Sequence, residues 1–159
     1  MKIYLIIPLL ISWNADASEL VSDKYTIDSD RQLILPDGNI KATGHVHAVS
    51  GDMTIDADEA VYHRKNPENT YITATGLPVK YRGITEDGRP FSGVSGKLKY
   101  TPDTGEVLLT DDVSVQQDGY TLSADMITYN IYTKKMTAFS VPGKRVKSVI
   151  YPGRVSQKS

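Results

Sequence analysis

The chain has 159 residues, a net charge of −1, no cysteine, and ten tyrosines against two phenylalanines and one tryptophan. That length bounds it to one modest domain, and the absence of cysteine excludes disulfides and thiolate metal sites, so the core must hold itself together. Abundant Tyr, Val, Ile and Thr favour strands, and no helical apolar period occurs anywhere, which predicts an all-β fold.

Residues 1–17 read as a secretory signal peptide. Lys2 gives the positive start, 3–13 the apolar run, and Ala15-Asp16-Ala17 the cleavage pattern, with the cut after Ala17. The run is shorter than the roughly 20 apolar residues of a membrane span, so an uncleaved anchor is the alternative rather than the expectation. No lipobox cysteine is present. Export of a soluble mature chain follows, and the basic C-terminal end described below is accordingly not read as a nucleic-acid patch.

After a polar lead-in at 18–24, short strand-like runs at 25–28 and 32–35 end in Pro36-Asp37-Gly38-Asn39, a strong turn signal. Runs 40–43 and 44–49 follow, with His45 and His47 facing together on one strand. Two histidines can hold a metal, but with no third ligand in view they read as half-exposed imidazoles. Residues 54–62, Thr-Ile-Asp-Ala-Asp-Glu-Ala-Val-Tyr, form a unit that recurs at 121–129 as Thr-Leu-Ser-Ala-Asp-Met-Ile-Thr-Tyr. Residues 92–100, Ser-Gly-Val-Ser-Gly-Lys-Leu-Lys-Tyr, are a degraded copy, and Ile27-Asp28-Ser29-Asp30 the remains of another. Recurring units that cannot bury a face alone must stack on one another.

Within a unit the strand period of two is broken once. Ile55 and Ala57 share one phase, Ala60 and Tyr62 the other, with the flip at Asp58. Leu122 and Ala124, then Ile127 and Tyr129, repeat this about Asp125. A one-residue phase change marks a bulge or corner, and a short carboxylate that bonds nearby amides suits it. Gly96 takes that place in the third copy. Asp30, Asp58 and Asp125 therefore read as corner residues rather than catalytic carboxylates or metal ligands.

Between these units lie a charged loop at 64–69, strands at 71–75 and 78–82, a hairpin tip at 86–89, a turn at 101–105, strands at 106–110 and 113–117, and the Asp118-Gly119 turn. Strand-like runs at 135–139 and 145–151 flank Pro142-Gly143. Turn signals every eight to twelve residues or so predict an antiparallel sandwich, jelly roll or barrel. Irregular spacing of the repeats favours a hairpin-connected jelly roll with two open ends over a solenoid. Beyond Asp125 only bases remain, Lys134, Lys135, Lys144, Arg145, Lys147, Arg154 and Lys158. This basic end is complementary to an acidic end of another molecule or to a phosphorylated lipid, or else is simply solvated.

In order along the chain, Ile27-Asp28-Ser29-Asp30, Gly44-x-Val46, Ile55-x-Ala57-Asp58, Gly76-x-Pro78 leading to Tyr81, and Asp87-Gly88-Arg89-Pro90 form a pattern. It ends with Ala124-Asp125-x-Ile127-Thr128-Tyr129, Lys135-Met136-x-Ala138-Phe139-Ser140 and Gly143-Lys144-Arg145-Val146. Over residues 25–152, the expected domain, this resembles the LptA/OstA family of periplasmic lipopolysaccharide-transport proteins; 153–159 are expected to be a tail. The resemblance implies a twisted antiparallel β-jelly roll whose two sheets open as a V around an apolar groove for acyl chains. It implies neither catalysis nor a cofactor. It also implies stacking head to tail, in a bridge between an inner-membrane bitopic component and an outer-membrane translocon component. By alignment with the family's lipid-contacting positions, Tyr25, Ile27, Arg64, Tyr81 and Tyr100 line or border the groove, with Leu98 beside them. Tyrosine suits such a lining, having an apolar body and a polar rim. A jelly roll acting only as an adaptor, with its groove closed by side chains, and a membrane-anchored relative of the same system are the alternatives.

Overall fold

A computed structural model describes residues 24–152. The expected signal peptide with its cleavage site, the lead-in up to residue 23 and the tail from 153 lie outside the described residues. Ten strands form: β1 (Tyr25–Asp28), β2 (Arg31–Ile34), β3 (Ile40–Ser50), β4 (Met53–His63), β5 (Tyr71–Ile84), β6 (Pro90–Thr101), β7 (Glu106–Gln117), β8 (Tyr120–Asn130), β9 (Met136–Phe139) and β10 (Lys147–Ile150). They hydrogen-bond antiparallel in one sheet of order β1-β3-β4-β5-β6-β7-β8-β10, with β2 added to β3 and β9 to β8.

Every long strand breaks register once, and the breaks line up across the sheet. Left out of the ladder are Gly44-His45 on β3, Asp58 on β4, Gly76-Leu77-Pro78 on β5, Gly96 on β6, Asp111-Asp112 on β7 and Asp125 on β8. Gly44, His45, Asp111 and Asp112 take φ values of 76°, 44°, 71° and 54°, the left-handed region that Gly accepts freely and Asp and His more readily than most residues. These bulges form a continuous corner along which the sheet folds onto itself. Runs read from sequence as separate strands, 40–43 with 44–49, 71–75 with 78–82 and 106–110 with 113–117, are two arms of one strand on either side of the corner. The corner also explains the phase flip, because the missed residue lets both arms turn their apolar side inward.

The expected two sheets are thus halves of one hydrogen-bonded sheet. One half carries β1 and β10 with segments 46–50, 53–57, 79–84, 90–95, 113–117 and 120–124. The other carries β2 and β9 with 40–43, 59–63, 71–75, 97–101, 106–110 and 126–130. Their inner faces meet in a core where Val79, Val107, Leu109 and Ile127 are fully buried. Facing halves with interdigitating side chains are how a sandwich removes apolar area from water.

Carboxylates hold the corner. Asp58 Oδ2 accepts the Leu77 amide at 3.1 Å, and Asp125 Oδ2 accepts the Val141 amide at 2.9 Å while its other oxygen takes Lys144 Nζ at 3.3 Å. Asp111 packs against Gly96 so closely that a Cβ there would strike its carboxylate. Pro78 lies where no ladder bond needs an amide proton.

Candidate functional site: an apolar groove between the half-sheets

Inward-facing residues of both halves converge at the β1 end of the fold. Tyr25 and Ile27 on β1, Val46 and Ala48 on β3, Ile55 on β4, Ile72 on β5, and Leu98 and Tyr100 on β6 surround an apolar cavity of about 20 Å³. That is room for little more than one water, against the several hundred Å³ of a typical ligand pocket. The groove is present and shut.

Tyrosines shut it. The Tyr25 ring, from one half, stands edge-on to Tyr62 and Tyr100 of the other, with both centroid distances at 6.2 Å and interplanar angles of 72° and 89°. Edge-to-face pairs are the favoured aromatic geometry. Tyr100 OH and Ser50 Oγ lie 3.1 Å apart, a second link across the halves. Burial, then the Tyr62 hydroxyl, push the Tyr25 hydroxyl pKa upward.

The other end is closed more firmly. Phe91 and Tyr129 pack edge-to-face at 5.0 Å, and Tyr129 OH donates across the halves to the Ile84 carbonyl at 2.7 Å. Outside this contact, Lys134 Nζ meets Asp52 at 2.8 Å. Tyr81 OH donates to Val94 O at 3.1 Å, and its ring fills the space above Gly93, where a Cβ would overlap it. Burial raises the Tyr81 and Tyr129 pKa values.

Of the residues expected at the groove, Tyr25, Ile27, Leu98 and Tyr100 come together around the cavity. Tyr81 lies buried in the same interior on β5 and does not line the cavity. Arg64 stands just past β4, where its Nε donates to Gly38 O at 2.6 Å and its amide to Asn39 Oδ1 at 3.0 Å; it does not reach the cavity. The reading of sequence passed over Tyr62. Its signal was there, because Tyr62 ends its repeat as Tyr100 and Tyr129 end theirs.

His45 and His47 do not converge. His45 Nδ1 pairs with Asp30 and His47 Nδ1 with Asp56, each at 2.7 Å. Among the described residues no three His, Cys, Asp or Glu side chains are grouped to hold a metal ion.

Both edges of the sheet are open. On the β1–β2 edge Leu33 and Ile34 are exposed, and on the β9–β10 edge Phe139, Val141, Ile150 and Tyr151 are exposed. Unpaired edge strands with apolar side chains are templates for another strand.

Comparison with known proteins gives a consistent picture. Residues 22–135 match the family model described as LptA/(LptD N-terminal domain) LPS transport protein. The chain is 32% identical over 136 residues to the lipopolysaccharide export system protein LptA of Escherichia coli strain K12, covering 84% of this chain and 74% of that one. With the protein of the same name from Haemophilus influenzae it shares 23% over 141 residues, covering 87% and 78%. The fold matches the crystal structure of LptH, the LptA-homologous periplasmic component of the lipopolysaccharide transport device of Pseudomonas aeruginosa. The TM-score is 0.69 at 19% identity, over 82% of this chain and 96% of that one.

Proposed function

We propose, from the premise that this chain belongs to the LptA/(LptD N-terminal domain) LPS transport protein family, that it carries lipopolysaccharide across the periplasm with the acyl chains held between its half-sheets. The observation that carries this reading is the pair of facing apolar arms with a tyrosine-rimmed, all-apolar gap between them. Acyl chains need a lining without unsatisfied polar groups, and the tyrosine hydroxyls here are spent on one another, on Ser50 and on carbonyls. The lipid enters by separating Tyr25 from Tyr62 and Tyr100, so Tyr25, Ile27, Leu98 and Tyr100 meet it first and Tyr81 meets it further along the interior. Arg64, exposed two residues beyond Tyr62, is the cation we assign to an anionic headgroup, which it meets by leaving the Gly38 carbonyl.

A carrier that spans a compartment needs continuity, and the open edges supply it. Adding the β9–β10 edge of one copy to the β1–β2 edge of the next keeps the corner in line. β10 then runs antiparallel to β1 with Lys147 beside Asp28, and β9 runs antiparallel to β2. The same edges are the docking strands for inner-membrane and outer-membrane components. The strand-only adaptor reading keeps these edges and leaves the groove permanently shut.

Site-specific photo-crosslinking separates the two readings. A photoreactive residue at Tyr100 or Tyr81 gives lipopolysaccharide adducts, and the same residue at exposed Asn66 gives none. Protein adducts alone at all three positions would remove the carrier reading and leave the adaptor.

A further inference from the structure

The cavity's smallness raises the question of what opens it, and the answer lies with β1. This strand is four residues long and, among the described residues, pairs only with β3 at the sheet edge. Its inward side chains, Tyr25 and Ile27, cover the cavity. Its outward residue Asp28 stands in register opposite His47 of β3, whose other cross-strand neighbour is Asp56 of β4, bonded to it at 2.7 Å. One turn on, Asp30 donates its amide to Gly44 O at 2.8 Å and holds His45 Nδ1 at 2.7 Å. Thus the same short segment covers the cavity with its inner side and holds one imidazole, that of His45, with its outer side, while His47 is held by Asp56 of β4.

We propose that residues 25–30 are a lid over the groove, latched to the outer face of β3 through the Asp30–His45 pair, and that the latch loosens as the His45 imidazole loses its proton. The lid role rests on the reading of the groove as an acyl-chain site; the latch does not. The charges around it are of one sign near the rings. His45 faces Asp30 from the β1–β2 turn and Asp58 from β4, and His47 faces Asp28 from β1 and Asp56 from β4. Lys80 on β5, opposite Asp56, is the cation of that row. The Asp30 hydrogen bond, with its charge and that of Asp58, raises the His45 pKa. A raised folded-state pKa means that the grip is complete below the ordinary imidazole value and fades as pH rises through the folded one. The His45 ring is solvated, so its pair with Asp30 changes the open population by about two- to fivefold, the range of an exposed ion pair. That suits a latch, which must give way.

Amide hydrogen exchange of β1 tests the latch without any lipid. With intrinsic rates divided out, wild-type β1 exchanges faster at about pH 8 than at about pH 5.5, on either side of the imidazole pKa. His45→Asn, which keeps a neutral donor and the left-handed tolerance at that position, abolishes that pH response. Uptake of N-phenyl-1-naphthylamine, an uncharged apolar probe, follows the exchange, and Tyr25→Ala accelerates uptake at both pH values. Exchange of β1 that is flat with pH, or that keeps its pH response in the His45→Asn variant, would overturn the latch. Probe uptake that ignores β1 exchange would overturn the lid. Lipopolysaccharide failing to bind while exchange and probe uptake keep step would instead count against the carrier reading and support the lid.

Discussion

At the scale of single residues, carboxylates and tyrosines hold the fold at its corner and its lips. Asp125 has its pKa lowered, first by the Val141 amide and then by Lys144 and Ser140. A depressed carboxylate contributes stability above its unfolded pKa and loses it as pH falls through the folded value. Asp125→Asn therefore flattens the acid side of the melting-temperature profile, below about pH 5, while leaving the neutral region nearly unchanged apart from the weaker acceptor. Thermal unfolding at stepped pH reads this. At the opposite lip Tyr129→Phe removes the hydroxyl bond to the Ile84 carbonyl, which costs about 0.5–1.5 kcal/mol by urea titration. Leu109→Ala, in the fully buried core away from the groove, costs about 2–5 kcal/mol and leaves lipid crosslinking in place.

At the scale of elements, the corner is what the sequence states most plainly. A strand period broken once per repeat, with Asp58, Gly96 or Asp125 at the break, placed three of its positions, and the Asp-Gly and Pro-containing turns marked the hairpins. Local chemistry makes such features legible, since an αL-tolerant residue and a phase change leave their mark within a few positions. The single continuous sheet was less legible, because whether 71–75 and 78–82 belong to one strand depends on what β4 and β6 do beside them. The closure of the groove was hidden for the same reason: Tyr25 meets Tyr62 and Tyr100 only after the sheet has folded. Likewise nothing near Arg64 tells that its guanidinium bonds Gly38, which follows only from the β2–β3 turn lying beside the end of β4. The corner itself is testable as an element. Gly96→Val drives a side chain into Asp111 and disturbs β6 and β7 together, lowering stability by about 1–3 kcal/mol, the usual cost of overpacking.

For the whole molecule, the asymmetry of charge and the open edges point the same way. The acidic side chains Asp28 and Asp30 lie at the β1 edge with Asp56 and Asp58 two strands behind them on β4, and Lys144, Arg145 and Lys147 precede or begin the β10 edge. Stacking that keeps the corner continuous brings these sets together, and the exposed Ile150 to the start of β1. Ile150→Asp accordingly reduces self-association measured by sedimentation velocity. Raised salt weakens wild-type assembly by screening the surface charges, whose range is about 8 Å at physiological ionic strength. A stack indifferent to both would place the contact elsewhere. Carriage needs such a stack to open as well as to form, because each copy holds its groove shut on its own side chains.

The measurement that bears most directly on carriage is the separation of the two half-sheets with and without lipid. Spin labels attached to cysteines placed at exposed Glu86, on the β5–β6 turn of one half, and at Asp103, on the β6–β7 turn of the other, report it in a chain that has no native cysteine. Double electron–electron resonance should show the distance distribution shift to longer values when lipopolysaccharide is added, and return when it is removed. An unchanged distribution with lipopolysaccharide demonstrably bound would contradict the account, because the lipid would then lie outside the groove.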